Sequence, residues 1–361
     1  VLGRLRHDFG QSFLSFLVSG RKVDGGGDNQ LFGPDFQWQP RSSDIVSGQY
    51  LWSRSETPIR PDLADEWDGR ELDGTAAFLL WQHDDGAWDW YLEGQDIDPE
   101  FRADNGFVPQ VGFQQGLVEL GRSWRPSGGG TISRFRLFTF DQYSTDEQDD
   151  VLTRIVSGGF ELYGARDLRL RLRLTSDEQQ VQGLLLKQSQ ARLRFSLAPS
   201  ATFARLWVST YAGDAIDYDN AREGDGAGLA IEAILRSPTH LEVKLNAERN
   251  QLDVDVPGVS GERLFTADLA RARVTYTFTP RCFLRAVVQW VETERDPELY
   301  TFPVDAKESD LQTSLLLAYK WNWQSIVYLG YGDEEIYLPT TARREKASRQ
   351  IFLKLSWAFR K

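Results

Sequence analysis

Long apolar runs are missing from this 361-residue chain, and no stretch approaches the eighteen or so residues that a membrane-spanning helix needs. One cysteine, Cys282, excludes an internal disulfide framework and a Cys-based zinc site. The three histidines stand far apart, at His7, His83 and His240. A net charge of −12 argues against bulk binding of nucleic acid. We therefore expect no cofactor, no metal and no nucleic-acid partner.

Methionine is also absent, and no charged, apolar leader precedes the chain at Val1. We expect either that a signal peptide was removed or that the sequence is an excerpt. Aromatic residues, by contrast, are numerous: 12 Trp, 12 Tyr and 21 Phe. Membrane β-barrels have this composition, because only alternate residues face lipid and aromatic girdles form at both interfaces.

Strict alternation of apolar and polar residues is the main pattern. In Asp167–Leu174 four leucines alternate with three arginines, and Ala191–Ala198 repeats the pattern. Arg271–Phe278 and the last segment, Gln350–Phe359, alternate in the same way. A period of two separates the two sets onto opposite faces of a strand, whereas a helix would mix them. The segments are predicted to be β-strands with one apolar face.

The connections between these segments alternate in length. Short links are predicted at Pro40–Ser43, His83–Gly86, Arg125–Gly130, Gly164–Asp167, Ala198–Ala201, Ser237–His240, Thr279–Arg281 and Lys320–Trp323. Longer, acidic links are predicted at Thr57–Gly69, Ile97–Val108, Ser144–Asp150, Ser176–Lys187, Ala212–Asp225, Leu252–Arg263, Glu294–Ser309 and Asp333–Lys346. Outer-membrane barrels sort their loops in this way, with tight periplasmic turns and longer extracellular loops.

The predicted fold is therefore all-β: a transmembrane antiparallel barrel of about eighteen strands (16–20) in the bacterial outer membrane. Residues 12–361 form this single barrel domain, and the count of eighteen starts at Ser12. Residues 1–11 are expected to be a periplasmic lead-in or the remnant of an additional strand. An odd strand number would be unusual for a bacterial single-chain barrel.

Several motifs resemble a known family. They are Gly3–Gly10 with Ser12–Leu14, Asn29–Phe36, Phe101–Pro109 and Leu353–Phe359. These stretches are similar to the C-terminal region of a bacterial outer-membrane family of unknown function. Its members usually carry an N-terminal module similar to family 9 carbohydrate-binding domains. The resemblance implies an outer-membrane barrel and says almost nothing about substrate. This sequence lacks the module, which suggests a partner chain or a missing upstream region.

Arginine dominates the side of the strands opposite the apolar face. The residues predicted to line the lumen as a basic wall are Arg134, Arg136, Arg169, Arg171, Arg173, Arg192, Arg194, Arg205, Arg271, Arg273 and Arg285. Fixed charges on a pore wall set ion selectivity, so one hypothesis is a lumen that attracts anions or sugars. The alternative is that Glu161, Glu232, Glu242 and their neighbours neutralise the guanidinium groups in a network that fills the barrel.

The Phe101–Pro109 motif places charged and amide groups between aromatic rings. Its candidate residues for a ligand contact or a constriction are Phe101, Arg102, Asp104, Asn105 and Phe107. The alternative is an ordered surface loop held by local Asp and Asn turns. Both interpretations stay open.

Aromatic residues cluster beside two short links. Trp81, Trp88, Trp90 and Tyr91 flank one, and Trp321 and Trp323 flank the other. An interfacial girdle explains them better than a sugar-stacking platform. The His83–Asp85 run is predicted to be a plain turn. Because no nucleophile stands beside an oriented histidine, we expect no enzyme.

The leading hypothesis is a porin-like channel or uptake component for small polar, anionic or saccharide solutes. The alternative is a plugged barrel that anchors a partner protein or serves as an assembly scaffold. The expected partners are outer-membrane lipid and a small polar or anionic solute.

Overall fold

The structure is a computed structural model, and it describes residues 1–23, 26–64, 67–256, 259–322 and 324–357. Within these residues no helix has the length and apolar character needed to cross a bilayer. The Trp323, Phe359 and Arg360 positions lie outside the described residues.

Nineteen β-strands form one sheet, and every pair of neighbours with a defined register is antiparallel. A single 3₁₀ turn, Pro297–Leu299, is the only helical element among the described residues. The strands are β1 Leu2–Phe9, β2 Ser12–Lys22, β3 Asp28–Arg41, β4 Asp44–Glu56, β5 Glu71–Asp84, β6 Trp88–Ile97, β7 Phe113–Trp124, β8 Ile132–Thr145, β9 Val151–Gly164, β10 Leu168–Val181, β11 Leu184–Leu197, β12 Phe203–Asp217, β13 Arg222–Arg236, β14 Leu241–Val256, β15 Val259–Thr279, β16 Cys282–Arg295, β17 Lys307–Lys320, β18 Ile326–Leu338 and β19 Arg343–Ser356.

The predicted strand count agrees with the sheet from Ser12 onward, since β2 to β19 are eighteen strands. The segment predicted as a lead-in or strand remnant contains β1, which pairs with β2 from Leu2↔Ser19 to Phe9↔Ser12. Closure of these strands into a barrel stays a prediction.

All eight predicted short links fall within two residues of observed connections between strands. Among the predicted long links, those after β4, β6, β8 and β16 are also found, although their bounds shift by up to a few residues.

The other four predicted long links are wrong, because most of their residues belong to strands. For example, Ser176–Lys187 contains only a two-residue turn, Gln182–Gly183, and both of its residues have positive φ. This is the conformation of a tight hairpin. Similarly, Ala212–Asp225 is paired from Ala212↔Ala227 to Asp217↔Arg222. A strand that extends beyond the lipid has no apolar face to maintain, so its polar sequence resembles a loop.

The chain divides into two compact units, and their border runs through β8 to β11 and not through a linker. Unit 1 comprises Val1–Trp124, Arg136–Gly159 and Thr175–Leu185. Unit 2 comprises Arg125–Phe135, Phe160–Leu174 and Leu186–Lys361.

Each unit has an apolar and a polar side to its part of the sheet. In β2 of unit 1, Leu14, Phe16 and Val18 are exposed, while Ser15 and Ser19 on the other side are buried. Among the described residues of the chain, 18 polar side chains are buried against 12 apolar ones. A water-soluble protein has the opposite distribution, so the exposed apolar face needs lipid as its solvent. We call the two sides the apolar face and the polar face.

Candidate functional site on the polar face

Four of the predicted arginines in unit 2 lie on the polar face without an acidic partner. They are Arg192 and Arg194 on β11, and Arg271 and Arg273 on β15. Among the residues that the structure describes, none of the four forms an ion pair or a hydrogen bond to a carboxylate. Arg194 and Arg271 are exposed, and the other two are half-buried. Their positive charge is therefore available to a solute.

Arg192 and Arg194 line a recess of about 300 Å³ on unit 2, together with Trp207, Tyr211 and Glu248. The guanidinium of Arg192 lies 5.1 Å from the centre of the Tyr211 ring, within the range of a cation–π contact. We call this cavity the basic recess. It combines fixed cations with aromatic and amide groups, and such a lining can hold an anion that also has apolar or hydroxyl groups.

Three other predicted arginines, Arg136, Arg171 and Arg205, are paired with acids, as the alternative of a neutralised network requires. Arg205 and Lys244 both contact Glu232, at 3.6 Å and 2.5 Å. Arg171 approaches Glu161 at 3.3 Å. Arg171 has an acid of its own, and Arg205 shares Glu232 with Lys244, so both arginines contribute to the rigidity of the wall more than to its potential.

Arg136 is the most completely enclosed of the set, with 8% of its surface exposed. Its Nε donates to both oxygens of Asp89 at 3.0 Å, and a terminal nitrogen donates to Glu119 at 2.7 Å. These three side chains join β6, β7 and β8 within unit 1.

The remaining four predicted wall residues have varied surroundings. Arg134 stacks on Tyr163 at 3.9 Å. Arg285 lies 5.3 Å from the Phe283 ring, and its buried Nε has no hydrogen-bond partner among the described atoms. Arg169 is exposed, and Arg173 is half-buried and engaged with a neighbour.

The Phe101–Phe107 loop folds back over the polar face of unit 1. Phe101 is only 3% exposed and packs against Leu31 and Leu51 of β3 and β4. The lack of a side chain at Gly74 permits this position, because a Cβ there would lie 2.4 Å from the backbone nitrogen of Phe101. The aromatic ring is therefore an anchor for the loop and is not free to stack on a ligand.

Asn29 of β3 holds the same loop through both ends of its amide. Its Nδ2 donates to the Arg102 carbonyl at 3.1 Å and to Ser55 Oγ at 2.8 Å, and its Oδ1 accepts from the Asp104 backbone nitrogen at 3.2 Å. With 1% of its surface exposed, Asn29 is among the most buried residues described. The residue types of the loop suggested ligand contacts, but the sequence gives no signal for this distant anchor.

The rest of the loop is more accessible. Asn105 donates from Nδ2 to Ser19 Oγ at 3.0 Å, which ties the loop to β2. Phe107 is 88% exposed. The loop is thus ordered, as the surface-loop interpretation expects, and it lies over the polar face, as a constriction requires.

A line of polar side chains across eight strands was missed by the sequence reasoning. Successive residues in it face one another directly in the strand register, and all lie on the polar face of unit 2. The line runs Trp207–Glu232–Asn246–Arg271–Gln289–Gln312–Glu334–Ser348. We call it the polar row. The first five residues of the row each lie between apolar neighbours on their own strand, but the alignment of the row depends on register, which a single sequence does not specify.

Outside the predicted membrane span, the acidic link after β4 is organised by local ion pairs. Asp68 accepts from Arg70 Nε at 2.8 Å and from a terminal nitrogen at 2.7 Å. The Arg70 hydrogen bonds lower the pKa of Asp68 from 3.8 to about 2. Arg60 lowers the pKa of Asp62 in the same way. Across the described residues, no group of three or more His, Cys, Asp or Glu side chains is arranged to hold a metal.

The aromatic cluster beside the β5–β6 turn lies on the apolar face. Trp81 and Trp88 are exposed there, and His83 stacks on Trp90 at 3.8 Å. His83 Nδ1 lies 2.8 Å from Asp44, so the ring is held in place by an acid at the end of β4. Tyr91 differs from the others, because it lies on the polar face and donates to Glu93.

A recess of about 960 Å³ on unit 1 opens on the apolar face. Phe36, Tyr50 and Leu79 form its walls, and Gly94 and Gly116 leave its floor open. It belongs to the apolar face, which requires lipid, and no arginine of the polar face lines it.

Comparison with known proteins identifies the fold. No protein-family profile matches the chain, and no curated protein matches it in sequence. The structure of the copper transporter OprC matches 98% of this chain and 68% of its own, with 9% identity and a TM-score of 0.50. At this identity the likeness concerns the fold alone.

Two porin structures are also similar. OccK2 (OpdF) of Pseudomonas aeruginosa, in complex with glucuronate, has 12% identity and a TM-score of 0.41, covering 96% of this chain and 95% of that one. A BenF-like porin from Pseudomonas fluorescens Pf-5 has 9% identity and a TM-score of 0.40, covering 95% and 97%.

This chain has an outer-membrane β-barrel type of fold. The antiparallel sheet, its exposed apolar face and the fold shared with the OprC structure place the protein in the bacterial outer membrane. The predicted localisation is thereby confirmed.

Proposed function

We propose that the protein is a passive outer-membrane channel or uptake component for small polar and anionic solutes. The observation that carries this proposal is the set Arg192, Arg194, Arg271 and Arg273, whose charges face the polar side without acidic partners among the described residues. Unpaired cations on a pore wall attract anions and raise their local concentration.

The proposal includes closure of about eighteen strands into a barrel, with the polar face lining the lumen. Closure leaves no sheet edge in lipid, where unpaired backbone groups are costly. In this arrangement the Phe101–Phe107 loop narrows the lumen beside unit 1. The predicted basic wall, from Arg134 to Arg285, sets selectivity chiefly through its arginines without acidic partners among the described residues. The proposed role is not enzymatic.

The resemblance to the family with a family-9-like carbohydrate-binding module suggests saccharides among the solutes. This part of the proposal depends on the short motifs alone.

A scaffold or anchoring role is the second candidate. It is favoured by the paired arginines, Arg136, Arg171 and Arg205, and by the loop that lies on the polar face. A filled lumen would have these features without conducting.

Planar-bilayer recording of the purified full chain tests the channel. We expect steady current and, in a KCl gradient, a reversal potential that indicates preference for chloride. The double variant R192Q/R194Q should reduce that preference. The matched control is R249Q/R263Q, because Arg249 and Arg263 are already paired with Asp268 and Asp253. Absence of current from correctly folded protein would reject the channel and favour the scaffold.

A further inference from the structure

Part of the polar row borders a second recess on unit 2. Arg271, Gln289, Gln312, Glu334 and Ser348 are successive register partners on β15 to β19. They line a cavity of about 330 Å³, which Ser314 and Gln350 complete. We call it the amide recess.

Hydrogen bonding within the amide recess leaves several groups available. Gln312 Nε2 donates to Glu334 Oε1 at 3.1 Å, and Ser348 Oγ donates to Glu334 Oε2 at 3.2 Å. By contrast, Gln289 and Gln350 make no side-chain hydrogen bond among the described residues. Each free amide offers donors and an acceptor, the combination that recognises a hydroxyl group.

The charges and side-chain types of the recess restrict its ligand. Two acids line the recess: Asp333 is paired with Lys346 and Arg349 at 3.5 Å, and Glu334 accepts hydrogen bonds from Gln312 and Ser348. Arg271 is its one cation and has no acidic partner among the described residues, so it can bind a single carboxylate through two parallel hydrogen bonds. No aromatic side chain of the described residues lines the cavity, and Val287 is its one large apolar residue. The recess therefore has no apolar surface on which an aromatic ring or a fatty acyl chain could pack.

We propose that the amide recess binds a sugar acid, a polyhydroxylated monocarboxylate of about six carbons. Its carboxylate lies on Arg271 and its hydroxyl groups on the Gln289 amide and the Gln312 carbonyl oxygen, since Gln312 Nε2 already donates to Asp310 and Glu334. Strands in a sheet are about 4.8 Å apart, so Arg271 and Gln312 are separated by roughly 10 Å across two strand spacings. A six-carbon hydroxy acid with a hydrogen bond at each end spans that distance. This assignment rests on the proposed function, since the polar face must be open to solutes.

Isothermal titration calorimetry on the detergent-solubilised full chain tests the site. The probes are gluconate, glucose, which keeps hydroxyl groups without a charge, and hexanoate, which keeps the charge without hydroxyl groups. We expect gluconate to bind more tightly than either. R271Q should weaken gluconate binding about tenfold or more, as expected for a lost charge-assisted bidentate contact. Q289L should weaken gluconate binding several-fold and leave hexanoate unchanged.

Arg249→Gln is the matched control, because Arg249 lies on the neighbouring strand β14, is paired with Asp268 and does not line the recess. R249Q should leave gluconate affinity within about twofold of the wild type, since it removes charge without removing a contact with the ligand. Equal binding of gluconate and hexanoate, or equal losses in R271Q and R249Q, would overturn the site and indicate general attraction of anions.

Recording and calorimetry separate this site from the channel proposal. A conducting protein without gluconate preference would overturn the amide recess alone. Gluconate binding that depends on Arg271 in a protein without current would overturn the channel alone. Heat-modifiable migration on gels verifies that each variant is folded.

Discussion

Arginines on the polar face differ chiefly in whether an acid faces them across the sheet. Arg136 has two such acids and is enclosed, whereas Arg192 and Arg271 have none among the described residues. A guanidinium paired with an acid links neighbouring strands, whereas an unpaired one adds to the electrostatic potential that a solute experiences. The residue type is the same, so function at this scale depends on the neighbouring strand.

Asn29→Ala should release the Phe101–Phe107 loop. The substitution removes three hydrogen bonds from a buried side chain and leaves the Asp104 nitrogen and the Arg102 carbonyl without the amide that they contact. We expect a loss of about 2–3 kcal/mol in the free energy of unfolding. Limited proteolysis should show faster cleavage between residues 102 and 108, and single-channel recording should show larger or noisier currents.

Asn105→Ala provides the comparison, because Asn105 ties the exposed part of the same loop to Ser19 and Gly20 of β2. Its effect on cleavage should be smaller than that of Asn29→Ala. Equal cleavage of both variants would mean that the buried amide is not the anchor.

At the scale of the strand, most elements are longer than a bilayer requires. Spanning takes about 9–11 tilted residues, whereas β14 has 16 residues and β15 has 21. The additional residues continue the ladder as polar hairpins, which is why four predicted loops are strands. Ion pairs between neighbouring strands then add to the backbone ladder.

Arg136→Gln should destabilise the β6–β8 region more than any other single arginine change on the polar face. It leaves Asp89 and Glu119 facing each other without this cation. We expect a loss of about 2–3 kcal/mol, below the usual range for fully buried pairs because both acids are partly exposed. Urea-induced unfolding in detergent measures it. Arg134→Gln, which removes a contact with Tyr163, should cost less than about 1 kcal/mol.

A smaller loss for Arg136→Gln than for Arg134→Gln would contradict the role of the ion pair. In that case, burial of the arginine stem and not its charge would account for the packing.

For the whole molecule, the orientation in the membrane follows from the connections. Because neighbouring strands are antiparallel, the eight short links share one end of the strands, which we assign to the periplasm. An epitope inserted between Gln182 and Gly183 should therefore bind antibody on intact cells. The same epitope between Asp85 and Gly86 should bind only after the cells are permeabilised.

The reverse pattern of antibody binding would invert the assigned orientation. Heat-modifiable migration of both insertion variants, extracted from outer membranes, verifies that each is folded and reaches the membrane. If a folded variant does not bind antibody on intact cells, the cause is then the orientation of its epitope and not loss of expression.

The sequence by itself determined the strands, their two faces and the short connections. These are properties of one segment at a time: alternation with a period of two needs no partner, as in Asp167–Leu174, and turn residues act locally. The number of strands from Ser12 onward could be counted because each strand is recognised from its own alternation.

Only the tertiary structure decided which polar residues face one another. Register aligns Arg271 with Gln289 and Gln312, places acids beside Arg136, and brings Asn29 to a loop more than seventy residues away. Register depends on contacts between distant segments, and polar strands and polar loops have similar compositions. The basic face was therefore visible in the sequence, but the distinction between neutralised and available arginines was not.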